Sequence, residues 1–174
     1  MDLLDFNTTE LYFDEPLPAE INHLLQEASV CYESGYAELP LLRAYLLTPN
    51  SLTVLVALYR FYFYQHQFHK AIHVAHLALK SAGKRLQIEL EWHQLNRDHL
   101  GEALMRSMGL VRFYLSVLKG AGYLYCRTGA YDKGIAMLRK VSSLDPADRL
   151  GSALLLDVIV SSLESSQDQS CISA

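Results

Sequence analysis

The sequence is poor in the residues that interrupt or cross-link a chain. Its 174 residues include five Pro, nine Gly and three Cys. The cysteines are scattered and form no Cys-x-x-Cys pair, which favours reduced thiols in a cytoplasmic protein over a disulfide framework. The low Pro and Gly content favours a mostly helical chain. No uncharged apolar run reaches about 18 residues and no signal segment opens the chain, so we expect a soluble protein.

Basic residues are missing from the first 42 positions, which carry nine acidic residues. The remaining chain carries ten acidic residues and all fifteen Lys and Arg, and the whole chain has a net charge of −4. This balance gives no argument for nucleic acid or membrane binding. Residues 1–17 combine acids with large apolar side chains, and we interpret them as an acidic-hydrophobic N-terminal arm.

The sequence also lacks the common signatures of catalysis. It has no GxSxG, no HExxH, no Gly-rich phosphate loop and no Cys with an assignable His partner. Arg127 follows Cys126 and could lower the pKa of its thiol, although a helical Cys without a special role is the simpler interpretation. We therefore expect a protein that is not an enzyme, with no catalytic residues and no cofactor.

The most regular stretch is Leu115–Asp148, which predicts two amphipathic helices joined by a tight turn. Apolar or small residues recur at three and four positions, the spacing of one helix face. These residues are Leu118, Ala121, Gly122 and Tyr125 in the first helix, and Tyr131, Gly134, Ile135, Leu138 and Val141 in the second. Gly129 is placed to end the first helix in a left-handed conformation. Pro146 stops the second helix.

This stretch resembles a tetratricopeptide repeat, a helix-turn-helix module of about 34 residues. Gly122, Tyr125, Gly129, Tyr131 and Pro146 match the family's pattern. The family's early Trp is Leu118 here, and its strongest Ala is Gly134. The resemblance implies an all-α, right-handed superhelical array.

Weaker matches extend the array along the chain. We predict about three repeats, with an insertion before the third, a C-terminal capping helix and a frayed tail. The repeats are 18–51, 52–85 and 115–148, the insertion is 86–114, the cap is 149–164 and the tail is 165–174. In the second repeat, His66 stands where the family has a turn glycine.

The resemblance implies that the first helix of each repeat lines a concave groove that binds a protein segment. Carrying the family's groove positions onto this chain selects three cations and three aromatic residues: Arg60, Phe63, Tyr64, Lys119, Tyr123 and Arg127. Such a mixture suits an acidic-aromatic peptide, because guanidinium pairs with carboxylate and rings supply rigid contact area. We therefore predict an adaptor or chaperone-like module. The alternative is that the rings pack against neighbouring helices and the cations are merely solvated.

Two further hypotheses concern what covers this groove. The acidic arm could occupy the basic groove of its own chain or of a neighbouring chain, and a partner would then displace it. Exposed aromatic residues could also support a homo-oligomer, because short arrays leave end faces to cover.

A histidine stripe gives the rival interpretation of a metal-handling protein. His66, His69, His73 and His76 step by three, four and three positions, so they would share one face of a helix. His69, His73 and His76 are the candidate Zn²⁺ or Ni²⁺ ligands. The alternative is a polar outer face that happens to use histidine, since the stretch has no nearby carboxylate or thiolate, and this interpretation predicts no metal site.

A second resemblance suggests a biological setting. The stretches LYRFYFYQH (Leu58–His66) and LDPADRLGS (Leu144–Ser152) are similar to small repeat proteins encoded beside bacterial nitrogen-fixation genes. This likeness implies an accessory assembly protein as an alternative function.

Overall fold

The computed structural model describes residues 16–32, 35–88 and 90–172. Within these ranges the chain forms eight α-helices, one turn of 3₁₀ helix and no strand, which confirms the predicted all-α class. The α-helices are α1 (Ala19–Val30), α2 (Glu38–Leu47), α3 (Leu52–Tyr64), α4 (Phe68–Leu86), α5 (Arg97–Arg106), α6 (Met108–Arg127), α7 (Tyr131–Leu144) and α8 (Ser152–Ile172). The 3₁₀ helix spans Trp92–Gln94.

Polar side chains cap the N-termini of α3, α5 and α6. Each accepts a hydrogen bond from a backbone amide that has no partner within the first turn of the helix. Ser51 Oγ accepts from the Val54 amide at 3.4 Å at the start of α3. Asn96 Oδ1 accepts from the His99 amide at 2.9 Å at the start of α5. Ser107 Oγ accepts from the Leu110 amide at 3.2 Å, and this single extended residue separates α5 from α6. Because of this cap, α6 begins at Met108, well before the predicted start of the third repeat.

Left-handed residues make the turns within the three helix pairs. Gly35 has φ 79° between α1 and α2, and Gly129 has φ 85° between α6 and α7, as its position predicts. His66 adopts φ 55° between α3 and α4, a conformation uncommon for residues that carry a Cβ. His66 therefore takes the place of the turn glycine and does not belong to the α4 helix that carries the other histidines.

The helices pack in chain order. The pairs α1–α2, α3–α4 and α6–α7 form hairpins that overlap the three predicted repeats, and α8 packs against α7. The buried core extends through these hairpins, and α3 shares cavities with both α1 and α6. The right-handed superhelix and the repeat boundaries stay predictions.

The insertion before the third repeat is held against α7 by two cationic side chains. Lys140 Nζ donates to the Leu95 carbonyl at 3.0 Å. Arg97 Nε donates to the Ser143 carbonyl at 3.3 Å. Since α4 continues to Leu86, the inserted part consists of the 3₁₀ helix and α5.

The C-terminal helix begins at a carboxylate cap. Asp148 Oδ1 accepts from the Ala153 amide at 2.9 Å and from Ser152 Oγ at 3.2 Å. The backbone is helical to Ile172, and the boundary between the cap and a frayed tail stays a prediction. None of the helices in the described ranges, including the 21-residue α8, combines the length and apolar character needed to cross a bilayer. Residues 1–15 of the predicted N-terminal arm lie outside the described residues.

Candidate binding groove

The aromatic helix α3 lies between α1 and α6 and presents different side chains to each. Tyr59, Phe61 and Tyr62 are buried. Phe63 is half-buried on the side of α6, with its ring centroid 6.4 Å from that of Tyr123. Tyr64 remains 42% exposed. Of the two rings, Phe63 therefore packs against a neighbouring helix, as one alternative from the sequence held. Tyr64 faces solvent.

A cluster of rings and one cation joins α3, α4 and α6. It consists of Phe63, Phe68, Tyr123 and Arg127, and we call it the α3–α6 cluster. The Phe63 centroid lies 6.2 Å from that of Phe68. The Arg127 guanidinium carbon lies 5.1 Å from the Phe68 centroid and 5.8 Å from that of Tyr123. Three of the six predicted groove residues are thus brought together.

Contacts within the protein orient Arg127. Its Nη1 donates to the Tyr123 hydroxyl at 2.8 Å, and its guanidinium lies over two rings. Stacking of this kind restrains a guanidinium without neutralising its charge. Because Arg127 is still exposed, it can present a preoriented cation to an acidic ligand.

An open cavity of about 450 Å³ lies between α1 and α3, and we call it the α1–α3 pocket. Most of its wall is apolar, whereas Arg60 and the two tyrosines add polar groups. Its lining residues are Leu25, Ala28, Ser29, Tyr32, Leu41, Ala57, Arg60, Phe61 and Tyr64. Two further predicted groove residues, Arg60 and Tyr64, therefore meet here, and the Tyr64 ring centroid lies 5.6 Å from that of Phe63.

Tyr32 is the unusual residue of the α1–α3 pocket. Its hydroxyl oxygen is shielded from solvent and has no hydrogen-bond partner among the described residues. Burial and the nearby Tyr64 raise the pKa of Tyr32, while the positive charge of Arg60 opposes them. Because this oxygen is closed off from solvent, a ligand in the pocket would meet the ring of Tyr32 and not its hydroxyl.

Lys119 is bound by a loop. The part-buried Nζ of Lys119 donates to the Leu150 carbonyl oxygen, between α7 and α8. The ammonium thus satisfies a loop carbonyl and connects α6 to the start of the C-terminal helix. The role of Lys119 as a ligand-facing cation stays a prediction.

The histidine stripe is divided among different environments. His69 and His73 are exposed on α4, whereas His66 lies in the preceding turn. His76 is half-buried and bonds to Tyr125. In the part of the chain that the structure describes, no three His, Cys, Asp or Glu side chains gather as metal ligands would.

His76 belongs to a three-residue network that joins α4, α6 and α7. Its Nε2 lies 2.9 Å from the Tyr125 hydroxyl, which also accepts a hydrogen bond from Lys133 Nζ at 2.8 Å. Burial and then the charge of Lys133 lower the pKa of His76. Since Lys133 donates to the Tyr125 oxygen, the hydroxyl can donate its own proton to neutral His76. The network is therefore best satisfied with His76 uncharged.

A second network ties α2 to the next hairpin. Glu38 Oε1 accepts from Lys70 Nζ at 2.8 Å and from the Tyr62 hydroxyl at 2.9 Å. The bond from Lys70 lowers the pKa of Glu38, whereas burial and Glu38 raise the pKa of Tyr62 to about 12. These residues lie beside an open apolar depression between α2 and α4, which Tyr62 and Lys70 help to line.

Cys126 is not an activated thiol. It is buried beside Gly134, and burial raises the pKa of its thiol. This corrects the suggestion that the adjacent Arg127 lowers the pKa, because the Arg127 side chain turns toward Phe68 and Tyr123 instead.

Tyr32 and Phe68 contribute to these sites but were not predicted as groove residues. Both occur in apolar helix patterns that the sequence assigns to packing. The available signal was local: Tyr32 closes the first helix just before a turn, and Phe68 opens the second helix of its repeat. Such residues at helix ends lie near the rim of a helical hairpin.

Comparison of the sequence with known proteins identifies a relative of this chain. The chain is 48% identical over 159 residues to a protein of Azotobacter chroococcum mcd 1 described as an uncharacterized 19.8 kDa protein in the nifW 5′ region. The match covers 91% of this chain and 89% of the Azotobacter protein. This chain belongs to the same family. No protein-family model and no solved structure matches it.

The sequence match to the Azotobacter protein extends over nearly the whole chain. A match over 91% of the chain is longer than any one of its helix pairs. The matched length therefore includes most of the helices described above.

Proposed function

We propose that this protein is a non-enzymatic interaction module that resembles tetratricopeptide repeat (TPR) proteins and acts as an adaptor or chaperone-like protein. It binds an acidic-aromatic protein segment along the surface formed by α1, α3 and α6. The observation that carries the proposal is the open α1–α3 pocket, which places Arg60 and Tyr64 around an apolar floor.

The chemistry of the two sites supports this choice of ligand. An aromatic or aliphatic side chain would be desolvated against Leu25, Leu41 and Phe61 in the pocket. A carboxylate would interact with Arg60, and a second carboxylate with the preoriented Arg127. The ring contact between Phe63 of the α3–α6 cluster and Tyr64 of the pocket connects the two sites.

The family relationship supports a setting for this activity. The Azotobacter relative is described by its place in the nifW 5′ region. We therefore infer that this chain is a cytoplasmic accessory protein in bacterial nitrogen fixation, acting on a protein partner of that process. Assistance with assembly fits a module that binds a protein segment reversibly.

A capture experiment tests the proposal. The intact protein is immobilised and exposed to extracts of Azotobacter chroococcum grown with dinitrogen or with ammonium as nitrogen source. The test variant is Arg60→Glu/Arg127→Glu. The matched control is Arg43→Glu/Arg139→Glu, which reverses two exposed arginines on α2 and α7. Circular dichroism verifies that both variants are folded.

The proposal expects a specific partner in the dinitrogen-grown extract that the control variant retains and the test variant loses. Alanine-type losses at interface anchors typically exceed about 1 kcal/mol, or roughly fivefold in affinity, and two charge reversals should exceed that. Equal capture by both variants would refute binding through this surface.

A further inference from the structure

We propose that the histidine pair His69 and His73 of α4 binds Zn²⁺ together with the same two residues of a second copy of this chain. The metal then joins two chains beside the apolar depression between α2 and α4. This site is separate from the proposed peptide groove, because the depression and the α1–α3 pocket share no lining residue.

The spacing of His69 and His73 suits chelation of one metal ion. The two residues lie four positions apart in α4, so their Cβ atoms are neighbours on one helix face, about 5–6 Å apart. Two histidines at this spacing on a helix supply half of the ligands in known zinc sites. Both residues are exposed, and both line the open depression. A metal ion can therefore reach the pair from solvent.

The pair supplies two of the four ligands that zinc requires. His76, the next histidine of α4, is held by the Tyr125 hydroxyl at 2.9 Å. In the ranges that the structure describes, no third His, Cys, Asp or Glu of the same chain completes a metal site with the pair. Zinc sites built from protein ligands alone are tetrahedral and four-coordinate. A two-fold axis through the metal doubles two ligands to four, as in an isologous dimer.

The local charge is compatible with a bound dication. Lys70 follows His69 in sequence and also lines the depression. Its ammonium pairs with the Glu38 carboxylate at 2.8 Å, which offsets a positive charge that would otherwise repel a metal cation. Neutral imidazole is the commonest metal ligand among side chains and binds zinc at about 2.0–2.1 Å.

Exposed leucines beside the depression can supply the contact between the two copies. Leu39, Leu42 and Leu46 recur at three and four positions and share one face of α2. They are 58%, 37% and 76% exposed, and Leu42 lines the same depression as the histidine pair. A stable interface uses roughly 20–30 residues on each side, and this leucine face is much smaller. We therefore expect the two copies to associate only when zinc is bound.

The first test measures association as a function of zinc. The full chain without a histidine tag is analysed by sedimentation velocity, first in EDTA and then during titration with Zn²⁺. The proposal expects a monomer in EDTA and a dimer that is complete at one zinc ion for two chains, with calorimetry giving the same stoichiometry. A dimer that persists in EDTA, a monomer that binds zinc one to one, or no zinc binding at micromolar concentration would overturn the proposal.

The second test removes one ligand at a time. Loss of even an outer partner of a metal ligand typically costs about 10–100-fold in affinity, so His69→Gln and His73→Gln should each weaken zinc binding at least about tenfold. Neither variant should form the zinc-dependent dimer. His23→Gln, at an exposed position on α1, is the matched control and should dimerise like the wild-type chain. Circular dichroism verifies that all three variants are folded, and dimerisation that survives both substitutions in α4 would refute the site.

The third test identifies the ligands directly. X-ray absorption spectroscopy of the zinc-bound wild-type chain should show four imidazole nitrogens at about 2.0–2.1 Å. In His73→Cys, which keeps a zinc ligand at that position, the dimer should persist with two of the four replaced by sulfur at about 2.3 Å. Sulfur ligands in the wild-type chain, or fewer than four imidazoles, would overturn the proposal. Partner capture is tested separately, because the arginine variants leave both histidines unchanged.

Discussion

Gly122 and Gly134 lie back to back where α6 and α7 cross. A Cβ built on Gly134 would lie 2.6 Å from the Gly122 carbonyl oxygen and 2.9 Å from the Cys126 amide nitrogen. A Cβ built on Gly122 would lie 3.0 Å from the Gly134 carbonyl oxygen. The two backbones therefore touch, which explains why Gly134 stands where the TPR pattern prefers Ala.

Replacement of Gly134 by Ala should destabilise the protein. The added methyl group meets backbone atoms that cannot rotate away, so α7 must move from α6, at a cost of about 1–3 kcal/mol in the free energy of unfolding. Urea denaturation followed by circular dichroism measures this change. Gly101→Ala in α5 is the control, because a Cβ there meets nothing within 4 Å. That variant should be neutral or more stable by about 0.5–1 kcal/mol, and an equal loss in both variants would contradict the prediction.

Acidification should weaken the packing of α4 against α6 and α7. The folded state lowers the pKa of His76 below its ordinary value of 6.5. The unfolded chain therefore binds the proton more readily, and the stability due to neutral His76 is present above pH 6.5 and is lost as the pH falls. The free energy of unfolding, measured from about pH 8 to about pH 5, should decline less in His76→Gln than in the wild-type chain.

The exposed His69 supplies the control for that measurement, because His73 carries a charge that also lowers the pKa of His76. His69→Gln leaves His73, the Tyr125 hydroxyl and Lys133 in place, so its pH profile should follow that of the wild-type chain. A flattened profile in His69→Gln but not in His76→Gln would contradict the explanation.

The Glu38 network should contribute stability in a more acidic range. Lys70 lowers the pKa of Glu38 below its ordinary value of 4.5, so the contribution is present above that pH and disappears below it. Because both charged side chains are partly exposed, we expect Glu38→Gln to cost about 1 kcal/mol near neutral pH. The difference from wild type should vanish near pH 3 in urea titrations. Glu27→Gln, at an exposed position on α1, should match the wild-type chain throughout.

Lys119 should act in stability and not in partner binding. Lys119→Met keeps the aliphatic stem but leaves the Leu150 carbonyl without its donor, at a cost of about 1 kcal/mol. Thermal unfolding reports this cost, and Lys80→Met at an exposed site on α4 is the control. Partner capture should be the same for Lys119→Met and the wild-type chain. Loss of capture with unchanged stability would return Lys119 to the groove.

Helix-level predictions succeeded where the signal was local. Gly129 adopts the expected left-handed turn, and α7 ends at Leu144 before Pro146. In the structure α6 begins at Met108, where the Ser107 cap falls inside a stretch without clear apolar periodicity. The backbone of α8 is helical to Ile172, through polar residues that we interpreted as a tail.

The candidate site was only partly predictable. Phe63, Tyr123 and Arg127 were selected by family position, and they do form one cluster. Lys119 was selected on the same basis, but it bonds to a loop distant in sequence. Tyr32 escaped notice because an unpartnered hydroxyl can be recognised only when its surroundings are known.

The sequence by itself determined the helical class, the turns that pair the helices and the acidic character of the N-terminal segment, because each depends on neighbours within a few residues. The tertiary structure alone decided which cations bond within the protein, which histidine meets Tyr125 and which tyrosines line the α1–α3 pocket. These properties depend on atoms from different helices meeting at distances of a few ångströms, and residue spacing along one helix does not specify them.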